Sequence, residues 1–384
     1  MKWIKRICFL GLTTVSFQVA AIDLDIRIFS TVNITSVTVT PLSGNYHLLS
    51  DTVKIGDVYQ SIPLELTVEK TKVRVKKNGV DLGTFDNITL TGQGFLNTLT
   101  IAPSNPLKKE RVYDDGLKVS VSGGFLQIVN HVNIEHYVSG VVESEGGGKY
   151  ATEFFKVQSV ICRTYALHNL HKHLKDSGYN LCDDVHCQVY RGRCKSNAVM
   201  MAASQTVGEV IVDSELHPIS AAFHSNCGGQ TMNSEDIWSV PTTYLKSCTD
   251  TFCLKKPNAV WIKKIPKKEW VDYLLAKYQY PVKDTNVLAK ALIFLQPVRK
   301  INFCETPLIP LKNIRNDFKL KSTFFSLTCV GDTVIMKGRG FGHGVGLCQE
   351  GAMRMVELGW SYLKIVQYYY RDVKIINFED IHLY

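Results

Sequence analysis

Residues 137–148 read Y-V-S-G-V-V-E-S-E-G-G-G, and from Lys156 the chain continues K-V-Q-S-V-I-C-R-T-Y-A-L. This stretch divides the molecule. Phe154, Val157, Ile161 and Tyr165 recur at helical spacing, which predicts an amphipathic helix over residues 153–174 with one buried face. The three glycines before it cannot be helix interior and form a loop. Glu145 is therefore expected at a strand end, ahead of a glycine loop and a helix.

Upstream, residues 22–130 read as β-structure. Thr38-Val39-Thr40 and residues 64–68, 72–75 and 117–121 alternate apolar and polar side chains, as half-buried strands do. Asn78-Gly79, Asp115-Gly116 and Gly123-Gly124 supply turns. No chemistry is visible in this region, and it reads as a scaffold. Downstream, residues 198–204 predict a second helix, and residues 209–212 and 219–224 predict paired strands around a turn. Residues 329–336 read as a hairpin, followed by a glycine-rich loop and a helix through Leu358. Ser361 can cap a last helix over residues 362–370. The expected class is α+β: a β-rich N-terminal region followed by a mixed α/β region.

The chain has 384 residues, 45% hydrophobic and 21% charged, with a mean hydropathy of −0.02. Neither a disordered polymer nor a membrane bundle has this balance. Lys2, Lys5 and Arg6 precede an apolar stretch, and Val19-Ala20-Ala21 offers a cleavage site, so residues 1–21 are expected to be a signal peptide. The mature chain is then exported, to the periplasm or cell envelope, without an integral membrane span. Its removal takes away Cys8, one of eleven cysteines, and leaves an even number, which favours disulfides. It also lowers the formal charge from +9 to +6. That excess is mild, and no nucleic-acid motif accompanies it, so nucleic acid is not an expected partner. Lys255, Lys256, Lys263, Lys264, Lys267 and Lys268 are interleaved with Trp261 and Trp270. The cluster is either a solvated face or a surface for an anionic polymer.

Three further segments carry more information. They are C-D-D-V-H-C-Q-V-Y-R-G from Cys182, F-H-S-N-C-G-G-Q-T from Phe223, and G-R-G-F-G-H-G-V-G-L-C-Q-E-G-A from Gly338. The glycines at 338, 340, 342, 344 and 346 are not a dinucleotide fingerprint, because G-x-G-x-x-G never completes. Period two on an extended chain puts all five on one face, which suits either a flat ligand or a crossing backbone.

Together with residues 137–167, in this order and spacing, these segments resemble the SpoIID family, the stage II sporulation protein D and amidase-enhancer-like proteins of bacterial cell walls. The likeness runs over residues 137–373. It implies an exported lytic transglycosylase that cleaves stem-peptide-free (denuded) peptidoglycan glycan at MurNAc-GlcNAc bonds and leaves 1,6-anhydroMurNAc ends. Residues 131–384 would then be the glycan-binding and catalytic region behind the 22–130 scaffold. The alternative is a non-catalytic accessory protein that holds denuded glycan and recruits or enhances a cell-wall amidase. The resemblance maps the family's catalytic acid onto Glu145, with Glu143 as its rival. It suggests Arg163, Gln188, Tyr190, His224, Ser225, Gly228, Gly229, Gly342, His343 and Gln349 as substrate-binding residues. One departure stands out: the family usually follows its glutamate with methionine and proline, and here three glycines follow.

Cys182, His186 and Cys187 lie within six residues, close enough to chelate one zinc ion in a structural role, or to leave a Cys182–Cys187 disulfide with His186 incidental. His168, His171 and His173 do not show the i, i+4 spacing of a helical metal pair and read as surface. Relatives commonly carry serine at the positions of Cys227 and Cys348. The double replacement suggests that these two pair, with Cys304–Cys329, Cys248–Cys253 and Cys162–Cys194 as further links.

Overall fold

The computed structural model describes residues 22–381, so the expected signal peptide, with Cys8, lies outside the described residues. The first ten strands follow one another: β1 (Asp23–Ile28), β2 (Ser36–Ser50), β3 (Val53–Val58), β4 (Leu64–Glu69), β5 (Lys72–Lys77), β6 (Val80–Phe85), β7 (Asn87–Asn105), β8 (Arg111–Asp114), β9 (Gly116–Ser122) and β10 (Phe125–Asn133). Alternation builds them: in β1, Leu24, Ile26 and Ile28 are buried while Asp23, Asp25 and Arg27 are not. They form one antiparallel sheet in the order β1-β10-β9-β7-β2-β4-β5-β6, with β3 added to β2 and β8 to β7.

After β10 the structure departs from the expected strand. Residues Ile134–Gly146 form α1, and Glu145 sits in its last turn. The reason is legible in hindsight: Ile134, Tyr137, Val138, Val141 and Val142 are buried at helical, not alternating, spacing. Asn133 caps the helix by accepting from the Glu135 N–H at 2.9 Å. Gly147 closes it with φ of 71°, its N–H donating to the Glu143 carbonyl at 2.8 Å.

The chain continues through α2 (Thr152–His168), the single turn α3 (Leu174–Ser177), β11 (Leu181–Cys182), α4 (Asn197–Ser204), β12 (Glu209–Val212), β13 (Phe223–His224) and α5 (Glu235–Trp238). Then come β14 (Val260–Pro266), α6 (Lys267–Tyr278), α7 (Thr285–Ala291), β15 (Ile293–Phe294), β16 (Asn302–Glu305), β17 (Leu308–Pro310) and α8 (Leu311–Asp317). The last elements are β18 (Phe325–Val330), β19 (Thr333–Arg339), β20 (Leu347–Cys348), α9 (Gln349–Glu357), α10 (Tyr362–Tyr369) and β21 (Lys374–Asn377). The fold is α+β, with its strands concentrated toward the N-terminus. Among the described residues no helix is long and apolar enough to cross a membrane.

The hairpin of β18 and β19 is as expected; residues 209–212 do meet the segment after their turn, through the Val212–Pro218 bridge and the Ile219 N–H on the Ile211 carbonyl at 3.0 Å, but their strand partner is elsewhere. β12 runs antiparallel to β21, and β13 pairs in parallel with β20. Ser361 stands at the start of α10, yet its side chain makes no cap; the Glu153 carboxylate accepts from the Tyr362 N–H at 2.9 Å instead.

β11 adds to β1 in parallel, with Ile26 opposite Leu181 and Arg27 opposite Cys182. Asp183, 1% exposed, fixes this join. Its carboxylate accepts from the N–H groups of Phe29 (2.9 Å) and Ser30 (3.0 Å) and from Arg111 (3.0 Å). The scaffold sheet thereby holds the loop that carries Cys182, His186 and Cys187.

Side chains from this sheet, α1, α2, α4, α9 and α10 share one large core. A second core draws only on residues between Trp261 and Met336, around the sheet β14-β19-β18-β15. Trp261 and Trp270 belong to it, 8% and 0% exposed, and donate to Ser322 Oγ and the Ala291 carbonyl. The tryptophans within the lysine cluster are therefore packing residues and no ligand platform. Lys263 and Lys264 remain exposed on β14.

Candidate active site

Several segments meet around a cleft of about 780 Å³. The end of α1 contributes Glu145, and α2 with the loop after it contributes Tyr165, Asn169 and Lys172. The opposite wall is made by residues 220–225, Phe341, Gly342, His343 and Gln349, with Trp238 of α5 and Arg315 of α8.

Glu145 is the single carboxylate among the described residues that line this cleft. Burial raises its pKa, opposed by the Val189 N–H, which donates to Oε1 at 2.9 Å, and by the charge of Arg191. Glu143 points elsewhere: on a helix two positions differ by about 200°, and its Oε2 accepts from the Lys195 N–H at 2.8 Å. The helix separates the two candidates that an extended chain would have placed on one side.

The facing wall depends on a close crossing of backbones. Asn226 and Phe341 exchange N–H···O bonds of 3.0 and 2.8 Å, and the Leu347 N–H donates to the Ala222 carbonyl at 3.0 Å. The glycine segment is not extended, contrary to expectation, because Gly340, Gly342, Gly344 and Gly346 all have positive φ. A Cβ on Gly346 would lie 2.1 Å from the Ala222 carbonyl oxygen, and one on Gly342 would lie 2.7 Å from the His224 Cβ. Crossing backbones account for Gly340 and Gly346, whereas Gly342 makes room for the His224 side chain and Gly344 for the Arg299 guanidinium.

This crossing brings His224 and His343 together, with ring centroids 5.4 Å apart, and sets His343 5.3 Å from Trp238. The Val345 N–H donates to His343 Nδ1 at 3.1 Å, so Nε2 carries the proton and donates to the Phe223 carbonyl at 2.9 Å. Burial lowers His343 to about 4 and holds His224 well below its ordinary value, so both rings are neutral at pH 7. His224 Nδ1 faces the Val345 carbonyl at 3.1 Å and must be the donor there. Its Nε2 is then an acceptor, and it is buried without a partner. Arg315 Nε is likewise buried and unpartnered.

Of the residues the sequence suggested for substrate, His224, Ser225, Gly342, His343 and Gln349 line the cleft with Glu145. Five do not. Arg163 is fully buried and forms a two-point ion pair with Glu135, its Nη1 donating to the Glu209 carbonyl at 3.0 Å. Gln188 is buried and accepts from Tyr137 at 3.2 Å. Tyr190 packs against Tyr113 and Tyr137 and donates to Asn130 Oδ1 at 2.9 Å. Gly228 leaves room for the Arg339 backbone and Gly229 for Leu254. These five are framework. Tyr165, Asn169, Lys172, Phe341, Trp238 and Arg315 line the cleft without having been singled out as contacts.

The metal-type cluster is larger than the sequence implied. One ligand atom from each of His173, Cys182, His186 and Cys187 lies within 4.8 Å of all the others. Cys182 Sγ and His186 Nδ1 are 3.7 Å apart, and Cys187 Sγ is 3.4 Å from His173 Nε2 and 3.8 Å from His186 Nδ1. Ligands of a tetrahedral zinc with bonds of about 2.0–2.3 Å stand roughly 3.3–3.8 Å apart, so two cysteines and two histidines fit that ion. Hydrogen bonds from Cys187 and His186 pull the Cys182 thiol down to about 5, and burial lowers His173. His173, expected at the surface, is the fourth member.

All ten described cysteines are free thiols, which corrects the expected links. Cys304 and Cys329 each donate to a nearby carbonyl, of Thr306 and Gly331. Cys194 is directed at the Ser196 carbonyl, and Cys248 accepts from Thr231. Cys227 and Cys348 do meet, the Cys227 N–H donating to Cys348 Sγ at 3.3 Å, and Cys227 Sγ also lies 3.4 Å from Cys253 Sγ.

A family model described as SpoIID, stage II sporulation protein, matches residues 122–212. Stage II sporulation protein D of Bacillus subtilis is 30% identical over 277 residues, 65% of this chain and 76% of that protein. An uncharacterized protein of Brachyspira hyodysenteriae is 28% identical over 326 residues, 83% of this chain and 82% of its own length. The amidase enhancer of Bacillus subtilis is 24% identical over 293 residues, 63% of this chain and 40% of that protein.

Proposed function

Because the chain belongs to the SpoIID family of stage II sporulation proteins, we propose that its cell-wall role is that of an exported lytic transglycosylase acting on denuded peptidoglycan glycan. The observation that carries this reading is Glu145, one half-buried carboxylate with a raised pKa in a cleft with no second acid among its described lining residues. Ordinary glycosidases need two carboxyl groups. A transglycosylase needs one, because the sugar supplies its own nucleophile. Protonated Glu145 donates to the glycosidic oxygen, and the MurNAc–GlcNAc bond breaks with O4 leaving on GlcNAc. The C6 hydroxyl of MurNAc then bonds to C1 and gives its proton to the Glu145 carboxylate, closing the 1,6-anhydro ring and restoring the acid.

The opposite wall suits a sugar. Trp238, 41% exposed beside His343, presents a ring face to a pyranose. The free Nε2 of His224 accepts from a sugar hydroxyl. Arg315 Nε, and Lys172 at the rim, suit the lactyl carboxylate that stem-peptide removal exposes on each muramic residue. His173, Cys182, His186 and Cys187 would hold zinc as a structural tie; with four protein ligands, no position stays open for an activated water.

Digestion of denuded glycan followed by mass spectrometry of the products tests the reaction. Anhydro-muramic ends from the wild type but not from Glu145→Gln are expected, and hydrated reducing ends would overturn it. The glycines at 146–148 favour a second reading, in which a loosely held acid leaves a glycan-binding accessory that stimulates a cell-wall amidase, as the name of one relative suggests. That reading predicts retained binding, no products from the wild type, and faster turnover by an added amidase.

A further inference from the structure

Behind the cleft wall, three sulfurs and one carboxylate meet in a sealed space. One ligand atom from each of Cys227, Asp250, Cys253 and Cys348 lies within 4.8 Å of the others, and all four residues are buried. Cys227 Sγ is 3.4 Å from Cys253 Sγ and 3.2 Å from Asp250 Oδ2. These are again the separations expected around a tetrahedral ion with zinc–sulfur and zinc–oxygen bonds of about 2.0–2.3 Å. The four residues come from three separate segments: the 223–229 crossing segment, the 248–253 loop and the N-terminus of α9.

The surroundings are built for negative charge. Cys348 Sγ accepts from the N–H groups of Cys227 (3.3 Å) and Gly351 (3.4 Å) at the start of α9. The N–H groups of Gly228 and Gly229 are directed at Cys253. Such N–H···S contacts are the usual outer shell of a metal-bound thiolate. Asp250 is 0% exposed and has no ion-pair partner among the described residues. Its orientation is fixed by the Phe252 N–H on Oδ1 and the Tyr369 hydroxyl on Oδ2, each at 2.9 Å. Gly351 keeps the space open, since a Cβ there would lie 2.4 Å from Asp250 Oδ2. Arg299 stands beside the cluster, donating to the Cys227 carbonyl at 2.6 Å.

A buried carboxylate without a cation is costly. A disulfide between any two of these sulfurs would still leave that carboxylate without a cation and the third thiol without a sulfur partner. We infer that Cys227, Asp250, Cys253 and Cys348 form a second, structural zinc site that pins the crossing backbones carrying His224 and His343. On binding, the three thiols release their protons to solvent and the metal takes three thiolates and one carboxylate. The resulting local charge of −2 is offset by the N–H groups, the start of α9 and Arg299.

Elemental mass spectrometry of the full chain, purified without chelator, tests this site separately from the His173 cluster and from the glycan reading. Zinc that survives in His173→Ala and is lost in Cys253→Ser and in Asp250→Asn is expected, one equivalent per chain. Should the Cys253 and Asp250 variants fail to fold, the His173→Ala protein and alkylation of the wild type still decide. Cys227, Cys253 and Cys348 should resist iodoacetamide in native protein and become reactive after chelation. Absence of zinc from folded His173→Ala, or a disulfide among the three sulfurs in unreduced peptide maps, would overturn the site.

Discussion

The backbone N–H of Val189 donates to Oε1 of Glu145 across 2.9 Å. Val189 follows Cys187 by two positions, and Cys182 upstream lies against β1 of the scaffold sheet. One hydrogen bond thus joins the cleft acid, the Cys-His loop and the N-terminal sheet into a single mechanical unit. The scaffold sheet thereby helps to fix where the Glu145 carboxylate stands.

Glu145→Gln should abolish anhydro-product formation, a loss of about 10²–10⁴-fold for removal of a positioned acid/base. It should not weaken the fold. A carboxyl whose pKa is raised by folding contributes most below its unfolded pKa, and that contribution is lost as pH rises toward the folded value. An amide escapes the loss while still accepting from Val189. Thermal melts at pH 7 should therefore match or exceed wild type, and a clear drop would mean that Glu145 is structural. In the wild type, activity should fall as pH rises through the same raised pKa.

Glu143→Gln should keep product formation, because the amide oxygen still accepts from the Lys195 N–H and the side chain does not line the cleft. Stability should change by no more than about 1 kcal/mol, the scale of one exposed hydrogen bond. Loss of products from this variant, measured by the same digestion, would transfer the acid role away from Glu145.

Arg163→Met should unfold the protein more easily by about 3–5 kcal/mol, since it leaves Glu135 without the partner that compensates it. Lysine should not rescue it, because the pair is two-pointed. Denaturant melts measure this. A variant that melts normally but binds glycan weakly would restore Arg163 to a substrate role.

The scaffold strands and the α2 helix were legible because each buries a face that its own residue spacing displays. The α1 helix was not, since a glycine run at its end and Glu-Ser-Glu in its last turns mask five apolar positions at helical spacing. The pairing of β12 with β21 joins residues more than 160 positions apart, and no local pattern encodes such a partner. At the site, Glu145, His224 and His343 were reached through motif resemblance. Arg315 was not, because it comes from a basic, aromatic stretch whose second core hides the cleft-facing residue. His173 lies nine positions before Cys182 and outside any i, i+4 pair. The only signal for it was that Cys-x-x-x-His-Cys leaves a tetrahedral ion one ligand short.

That missing ligand yields the last prediction. His173→Ala should lose one equivalent of zinc per chain, by elemental analysis, while His173→Cys should retain it because a thiolate can complete the same tetrahedron. The loop from Cys182 to Val189 would then lose one of its ties and keep Asp183 at its start, Lys172 on the His186 carbonyl and Tyr137 on Gln188, so the N–H that orients Glu145 would be held less firmly. A misplacement of about 1 Å can cost ~100-fold in rate, so turnover of denuded glycan should fall sharply in the alanine variant and return in the cysteine variant. Binding of denuded glycan should change far less, because His224, His343, Trp238 and Arg315 stand on other segments. Full zinc content and full turnover in His173→Ala would show that the fourth ligand, and the coupling through Val189, are not as described.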